Sequence, residues 1–425
     1  MNVDKKSLSK DLVDLVGEEN VIFEDKKLKK FGTDRFGKEH TPLIVVKPSS
    51  PSHFKRLNFI LRRYQIDSLT PRGYGLSTNL SAFSEDLVID LTYLNKEIEI
   101  DIQNLLVNTQ AGNSFLNVQN KLIKEGYRLP IEPILNGTIG GFIASGGYGY
   151  GTYRYGSLMN ILHDISIFIT NGQIIQTGTP NLPPYSCGYN LNSLICGSEG
   201  YFGIITEAVL EIIPIAQHSY NLLFSPKNNS DLVQIITKIT NLTSLNNISL
   251  YKGLSGVSSD TLNVLIRLEG SEHTIKKDQS LIENIHNVNH CDSNKANKLW
   301  ETRIKNSSQI PESSMILEVI IPLKHFSQFV SFLDSLNSPP YFGIFLNSGT
   351  ILLSIFLAKS LTDSRKNEIL TKLMKRFNNF QAYPPTIDNI LKNFVLNFHP
   401  NLNLLKKFKP IFDKTNRMKS RKLFF

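Results

Sequence analysis

Hydrophobic and polar positions divide the chain into short elements of two alternating kinds. Leu8, Leu12 and Leu15 recur at helical spacing and predict a helical lead within residues 1–30. From residue 43 the pattern switches repeatedly between period two and period 3.6. Leu43 to Val46 reads as a strand, and His53 to Tyr64 as a helix with Phe54, Leu57, Ile60 and Leu61 on one face. Val88 to Leu91 and Leu105 to Thr109 read as strands, and Phe115 to Glu125 as a helix. Ile165 to Thr170 and Gln173 to Gln176 flank Asn171-Gly172, which predicts a hairpin closed by a two-residue turn. Ile204 to Ile213 is a further strand, stopped by Pro214.

Beyond Pro214 glycine thins out. Strands are predicted near Tyr220 to Phe224 and at Leu262 to Leu268, Ser314 to Ile321, Tyr341 to Leu346 and Ile351 to Leu357. They alternate with helices at Asp231 to Thr240, Thr274 to His286, Phe326 to Leu336 and Asp363 to Phe377. Helices gathered beside an antiparallel sheet are the expected arrangement, an α+β fold.

Glycine is distributed far from evenly. Eight of the 26 glycines fall between Gly137 and Gly156, punctuated by Ile139, Phe142, Ile143 and Ala144, so the stretch is no flexible linker. Glycine costs conformational entropy and clusters where backbone needs positive φ or close approach to a ligand or to other backbone. Tight turns in an ordinary domain would answer the same description. Two more segments share the character: Pro71 to Asn79, with two glycines, two hydroxyls and an amide, and Gly197 to Gly203. Three such segments suggest one extended, phosphate-bearing ligand held by N–H groups and small hydroxyls. Gly73-Tyr-Gly75 is not a Rossmann fingerprint, because Thr78 replaces the third glycine and a strand-like Asp86 to Leu91 follows where a helix is required. No lysine of a P-loop follows these glycines either.

Several segments together resemble a known family: Phe31-Gly-Thr-Asp34, Pro42 to Pro48, Pro71-Arg-Gly73, Val88-Ile-Asp-Leu91, Thr138-Ile-Gly-Gly141, Tyr155-Gly156, Asn171 to Gly178, Gly188 to Leu191, Gly197-Ser-Glu-Gly200 and Ile204-Ile-Thr-Glu207. In order and spacing, over about residues 30–215, the chain resembles the FAD-linked oxidases of the vanillyl-alcohol oxidase / p-cresol methylhydroxylase (PCMH) superfamily. Within it the likeness is to FAD-binding subunits of glycolate oxidase and to D-lactate dehydrogenases. Phe412-Asp413 and Lys422-Leu-Phe424 look like the family's closing segment.

The resemblance implies an α+β chain with a two-part PCMH-type FAD-binding domain over 1–215. A cap or substrate domain with an antiparallel sheet would follow over 216–385, and a C-terminal segment, 386–425, would return to the FAD domain. It implies that the loop of Pro71, Arg72, Gly73, Tyr74, Gly75, Leu76 and Ser77 wraps the FAD pyrophosphate. Thr138, Ile139, Gly140, Gly141, Ala144, Ser145 and Gly147 would lie against ribityl and pyrophosphate. Glu199, Gly200, Gly203, Ile204 and Ile205 would line the adenine or flavin side, and Tyr155 would sit near the ring. With no histidine in the first loop, the flavin is expected to be bound non-covalently.

Flavin chemistry belongs to the cofactor, and protein groups must position the substrate and take a proton. The family's cap carries a His-x-Gly-Asp-Gly-Asn-type segment for this. Its best match here, Ile344 to Leu352, lacks the histidines and the acid, and keeps Gly349 and a strand-like context. FAD-binding subunits of glycolate oxidase are similarly degenerate there. Trp300-Glu-Thr-Arg303 resembles the family's Leu-Trp-x-x-Arg element, so Arg303 is a candidate carboxylate clamp. A surface helix anchored by its tryptophan is the plainer alternative. Lys252 and Arg267, on apparent strands of the cap, are further candidates, and Tyr155 completes the catalytic set. His286 and His290 have i, i+4 spacing but no third partner, so no metal site is expected.

The expected activity is oxidation of a small 2-hydroxy acid of the glycolate or D-lactate type by the flavin-binding subunit of a dehydrogenase complex. A sugar or alditol oxidase of the same superfamily and a catalytically silent flavin-binding scaffold are the alternatives. Cys187, Cys196 and Cys291 form no ligand cluster, so electrons are expected to leave through a partner with an iron–sulfur cluster or a second flavin. A polar N-terminus and ordinary hydrophobic content, 41%, point to the cytoplasm. The net charge of +9 is concentrated in residues 391–425, which hold nine Lys or Arg against Asp413 alone. Such a tail suits an acidic partner or peripheral contact with an anionic membrane, or serves as a solvated terminal helix. It has no aromatic residues placed for base stacking, and no nucleic-acid partner is expected.

Overall fold

The computed structural model describes residues 4–32, 41–77, 86–178, 189–254, 261–284, 288–290, 293–304, 313–336, 339–346, 349–358, 360–380 and 402–418. Three sheets organise them.

The first has four strands. Ile44–Val46 and Leu69–Arg72 both run parallel to Leu87–Asp90 between them, and Val21–Ile22 pairs antiparallel with Ile44–Val46 at the far edge. Its central strands are apolar on both faces, as a covered parallel sheet requires. Ile44, Val46, Leu87 and Ile89 pack on the helices Lys5–Val16 and His53–Arg63 through Leu8, Leu12, Phe54, Leu57 and Leu61. Val45 and Val88 face the other way, onto Leu28. Asp4 caps the first helix, accepting from Ser7 N at 3.2 Å.

The second sheet is antiparallel, in the order Ile174–Gln176, Leu162–Phe168, Ile204–Glu211, Leu106–Gln110, Ile98–Asp101. Helix Phe115–Lys124, capped by Ser114, covers it with Phe115, Val118 and Leu122. The glycine-rich stretch contributes a short helix, Ile139–Ala144, whose Ile139 and Ile143 enter the same core.

The third sheet has seven antiparallel strands in the order Val288–His290, His218–Pro226, Asn263–Gly270, Leu245–Lys252, Tyr341–Phe345, Thr350–Ala358, Ser313–Pro322. Period-two alternation gives it two different faces. Phe224, Ile248, Leu250, Val264, Ile266, Val319 and Leu353 pack against helices Asn229–Ile239, Glu272–Glu283, Phe326–Asp334 and Asp363–Phe380. The opposite face, with Leu223, Tyr251, Leu265, Phe342 and Leu352, packs on Ala296 and Trp300 of helix Ser293–Glu301 and on Tyr150 beyond the glycine-rich helix. The mixed helix and antiparallel-sheet architecture is the expected α+β one.

The chain then comes back to the first sheet. Met418 pairs with Leu69, Leu69 N donates to the Arg417 carbonyl at 2.9 Å, and Thr170 N donates to the Phe412 carbonyl at 3.3 Å.

Most predicted elements recur within a few residues of their expected ends. The hairpin at Asn171-Gly172 is a correction. Its strands are where expected, but Gly172 N donates to the Ile169 carbonyl and Ile169 N to the Gln173 carbonyl, with Gly172 at φ +98°. That is a turn over Ile169–Gly172 that ends in the left-handed glycine, a three-residue loop and not a two-residue one. Thr170 is freed in this way for the C-terminal segment, donating its hydroxyl to Asp413 Oδ1 at 2.7 Å.

Candidate functional site

The three glycine segments converge. A Cβ added to Gly73 would overlap Thr138 Oγ1, so the first loop lies directly on the start of the Ile139–Ala144 helix. A Cβ on Gly200 would come within 2.9 Å of Pro71 Cγ, and one on Gly146 within 3.1 Å of Gly197 Cα. Glu199 N donates to the Ala144 carbonyl at 2.8 Å and Gly197 N to the Ile143 carbonyl at 3.0 Å. Segments far apart in sequence thus form one wall (Gly73 against Thr138, Pro71 against Gly200). Thr138 holds its part of that wall by accepting from Gly141 N at 3.1 Å.

The wall has a specific unsatisfied chemistry. Among the described residues, the backbone N–H groups of Gly73, Tyr74, Gly75 and Leu76 donate no hydrogen bond. Gly75 has φ +69°, which lets the run turn over the Arg72 guanidinium directly beneath it. Arg72 is buried, donates to the Phe31 carbonyl at 3.3 Å and stacks over the Phe31 ring. Burial pulls its pKa down while Asp90 opposes that shift. Four free donors in succession above a buried cation fit a diphosphate, which needs N–H donors and positive potential. Thr78 and Asn79, the end of the same loop, lie outside the described residues. Gly140, Gly141, Ala144, Ser145, Gly147, Gly203, Ile204 and Ile205 all belong to the converging segments. Ile139, Ile204 and Ile205 are buried core residues, so what they can offer a ligand is backbone.

The catalytic candidates separate. Lys252 sits on the helix-bearing face of the seven-stranded sheet, paired with Asp334 at 2.9 Å and far from the face that meets Tyr150. Arg303 lies on the Tyr150 face. It is paired with the buried Glu132, donates to the Trp300 carbonyl at 2.9 Å and stacks on the Trp300 ring, 4.4 Å from its centroid. Arg267 stacks on the same ring at 4.7 Å and donates to Glu269 and Asn221. Tyr155 is half-buried beside Arg128, which pairs with Glu269. Arg128, Arg267 and Arg303 with Glu132 and Glu269 thus place one more cation than anion between the two parts of the molecule. Burial depresses the Arg267 pKa, with Glu269 opposing and the other two arginines adding to the depression.

Sequence reasoning missed Glu132, Glu269, Arg128, Tyr150 and Tyr251. Tyr150 and Tyr251 are fully buried and share a 3.1 Å hydrogen bond between hydroxyls, and burial raises both pKa values. The alternation Gly147-Tyr-Gly-Tyr-Gly151 carried a signal, since period two points Tyr148 and Tyr150 the same way. Nothing local marks Glu132. His286 lies outside the described residues.

Comparison with known proteins bears on the cofactor. Residues 42–178 match the family model "FAD binding domain". The chain carries an FAD-binding domain. It is 27% identical over 303 residues to glycolate oxidase subunit GlcD of Bacillus subtilis, covering 66% of this chain and 63% of that protein. It is 27% identical over 226 residues to D-lactate dehydrogenase of Anaerostipes hadrus, covering 52% of this chain and 46% of that one. The matched part therefore spans less than two thirds of these relatives' own length. Among solved structures, p-cresol methylhydroxylase with substrate bound superposes with a TM-score of 0.82 at 12% identity, over 98% of this chain and 96% of that one. An alkyldihydroxyacetonephosphate synthase gives 0.77 at 16% identity, over 98% and 86%. At those identities the likeness is one of fold. FAD is the cofactor.

Proposed function

We propose that the protein is an FAD-dependent oxidoreductase that oxidises the CH–OH group of a small 2-hydroxy acid of the glycolate or D-lactate type. The observation that carries this reading is the surplus cation between the FAD-binding domain and the seven-stranded sheet. Arg267 and Arg303 both lie over the Trp300 ring, and a substrate carboxylate is the anion that would balance them. Glu132 orients Arg303 and is itself fixed by Gln119, which donates to it at 3.0 Å. A bound flavin would accept the hydride equivalent. The protein's share is to hold the carboxylate on the arginines, keep water out with Tyr150, Trp300 and Phe342, and cradle the pyrophosphate on residues 71–77. The name of the Bacillus subtilis relative supports a subunit of a larger assembly; in our reading the electron acceptor is a partner bearing an iron–sulfur cluster or a second flavin.

One observation favours a second reading, a catalytically silent flavin-binding scaffold: Arg303 already has a carboxylate partner. Anaerobic titration separates the two. Bleaching of the flavin absorbance by glycolate, D-lactate or a longer 2-hydroxy acid, lost in Arg303→Met, is the expected result. An FAD-loaded protein that no hydroxy acid or polyol bleaches is the scaffold.

A further inference from the structure

Two helices outside the cofactor cradle share a composition that the fold does not need. Helix Leu402–Phe412 is fixed to the body by one stripe. Lys409 is buried, donates to the carbonyls of Met418 (2.7 Å) and Tyr201, and pairs with Asp413 at 2.9 Å, while Phe412 packs on Phe202. The adjacent stripe faces water. Leu404, Phe408 and Ile411, at i, i+4 and i+7, are 51%, 36% and 66% exposed. On the wheel Lys407 borders this stripe on the side away from the body, and Lys414 follows the helix, both exposed. Asp413 is the sole acid from residue 402 onward, and it is buried in its own pair.

The second helix, His53–Arg63, buries Phe54, Leu57 and Leu61 and exposes Phe59 (68%) among Lys55, Arg56 and Arg62. It too contains no acid. The two helices meet at Thr170. Arg62 Nη2 donates to the Thr170 carbonyl at 3.4 Å, while Thr170 N and Oγ1 donate to Phe412 and Asp413.

Singly exposed apolar residues are ordinary, but four large ones on two elements that meet at Thr170, set among cations of which Arg63 pairs with an acid there (Asp11, 3.1 Å), mark an interaction site. We infer that these two helices form a docking face for an anionic lipid surface. An acidic protein would answer the cations, yet it would need a matched groove for the apolar stripe. A lipid interface answers both at once, phosphates meeting the cations while the apolar side chains enter the acyl boundary. The Lys409–Asp413 anchor presents the stripe from folded structure. Neither helix contributes to the substrate chemistry proposed above, and this inference does not rest on it.

The test is co-sedimentation of the full-length, FAD-loaded protein with vesicles of phosphatidylcholine alone and of phosphatidylcholine mixed with phosphatidylglycerol. Binding to the anionic vesicles only, weakened by added salt, is expected. The combined change Leu404→Ser, Phe408→Ser, Ile411→Ser should weaken it by about tenfold or more. Phe59→Ser and the pair Lys407→Glu, Lys414→Glu should each weaken it separately, and all variants should keep the parent's flavin absorbance. Absence of binding to anionic vesicles, or variants that sediment like the parent, overturns the inference. Retention on immobilised polyglutamate without vesicle binding also overturns it, and assigns the face to an acidic protein.

Discussion

At Gly73 the outcome of a single methyl group can be argued from its neighbours. The added carbon would overlap Thr138 Oγ1 and lie 3.1 Å from Thr138 Cγ2. Thr138 cannot swing aside without giving up its bond to Gly141 N, which caps the Ile139–Ala144 helix. Gly73→Ala should therefore push the loop off its wall at a cost of about 1–3 kcal/mol. FAD titration of the apoprotein should show an affinity loss of about fivefold or more, since each 1.4 kcal/mol is a factor of ten. An unchanged affinity would remove the loop's proposed role. Cys196 gives a second prediction at this scale. Burial pushes its thiol up to about 12 from an ordinary 9.0. The unfolded thiol ionises first, so this contribution to stability is complete below about pH 9 and lost as the pH rises toward 12. At pH 8 the native thiol should resist iodoacetamide while the unfolded chain reacts readily, with peptide mass spectrometry as the readout. In Cys196→Ala the alkaline fall in stability should be shallower.

Elements whose shape is dictated by local pattern were legible in the sequence. The helices at His53 and Phe115 have one apolar face each, and the strands at 263–270 and 350–358 are dense in branched residues. Elements that depend on distant partners were not. Helix Ile139–Ala144 holds two glycines and is stabilised by Thr138, by Asn113 and Ala111, whose carbonyls accept from Ile139 N and Gly140 N, and by the wall it forms. Strand Leu245–Lys252 carries buried Asn246 and Asn247, and its residues pair on both sides with strands formed later in the chain. The converging glycine segments announced a ligand wall, but not which N–H groups it would leave free. The C-terminal segment is such a tertiary element, and it supports the cofactor wall directly. Lys409 holds the Tyr201 carbonyl next to Gly200, which lies on Pro71. Lys409→Met leaves Asp413 buried without its cation, a change that costs about 3–5 kcal/mol in comparable pairs. Three donors to Asp413 remain, from Thr170, Arg417 and Met418, so the lower end is expected. Thermal unfolding should move down and FAD affinity should weaken, with Lys409→Arg closer to the parent in both. A drop in stability with unaltered FAD affinity would show the segment to be a strut with no influence on the cradle.

Across the whole molecule, what the sequence hides is the joining of its two parts. Arg303 could be singled out from its spacing to Trp300, but its partner Glu132 lies 171 residues away, and Arg128 meets Glu269 across 141. No periodicity reports such a pairing, because each partner reads locally as an ordinary charge. These pairs, the Tyr150–Tyr251 hydrogen bond and the arginines about Trp300 fix the seven-stranded sheet against the FAD-binding domain. Glu132 is almost fully buried and Gln119 satisfies only one of its oxygens. Arg303→Met should therefore leave an uncompensated buried carboxylate and cost about 3–5 kcal/mol. Glu132→Gln removes the stranded charge, so the double variant Arg303→Met, Glu132→Gln should be more stable than Arg303→Met alone. If the pair joins two units, urea unfolding of Arg303→Met should also split, with the Trp300 fluorescence change preceding loss of bound FAD. The double variant should bring the two transitions back together. Additive single effects with one shared transition would mean that Glu132 does not hold Arg303, and the proposed substrate clamp would lose the group that aims it.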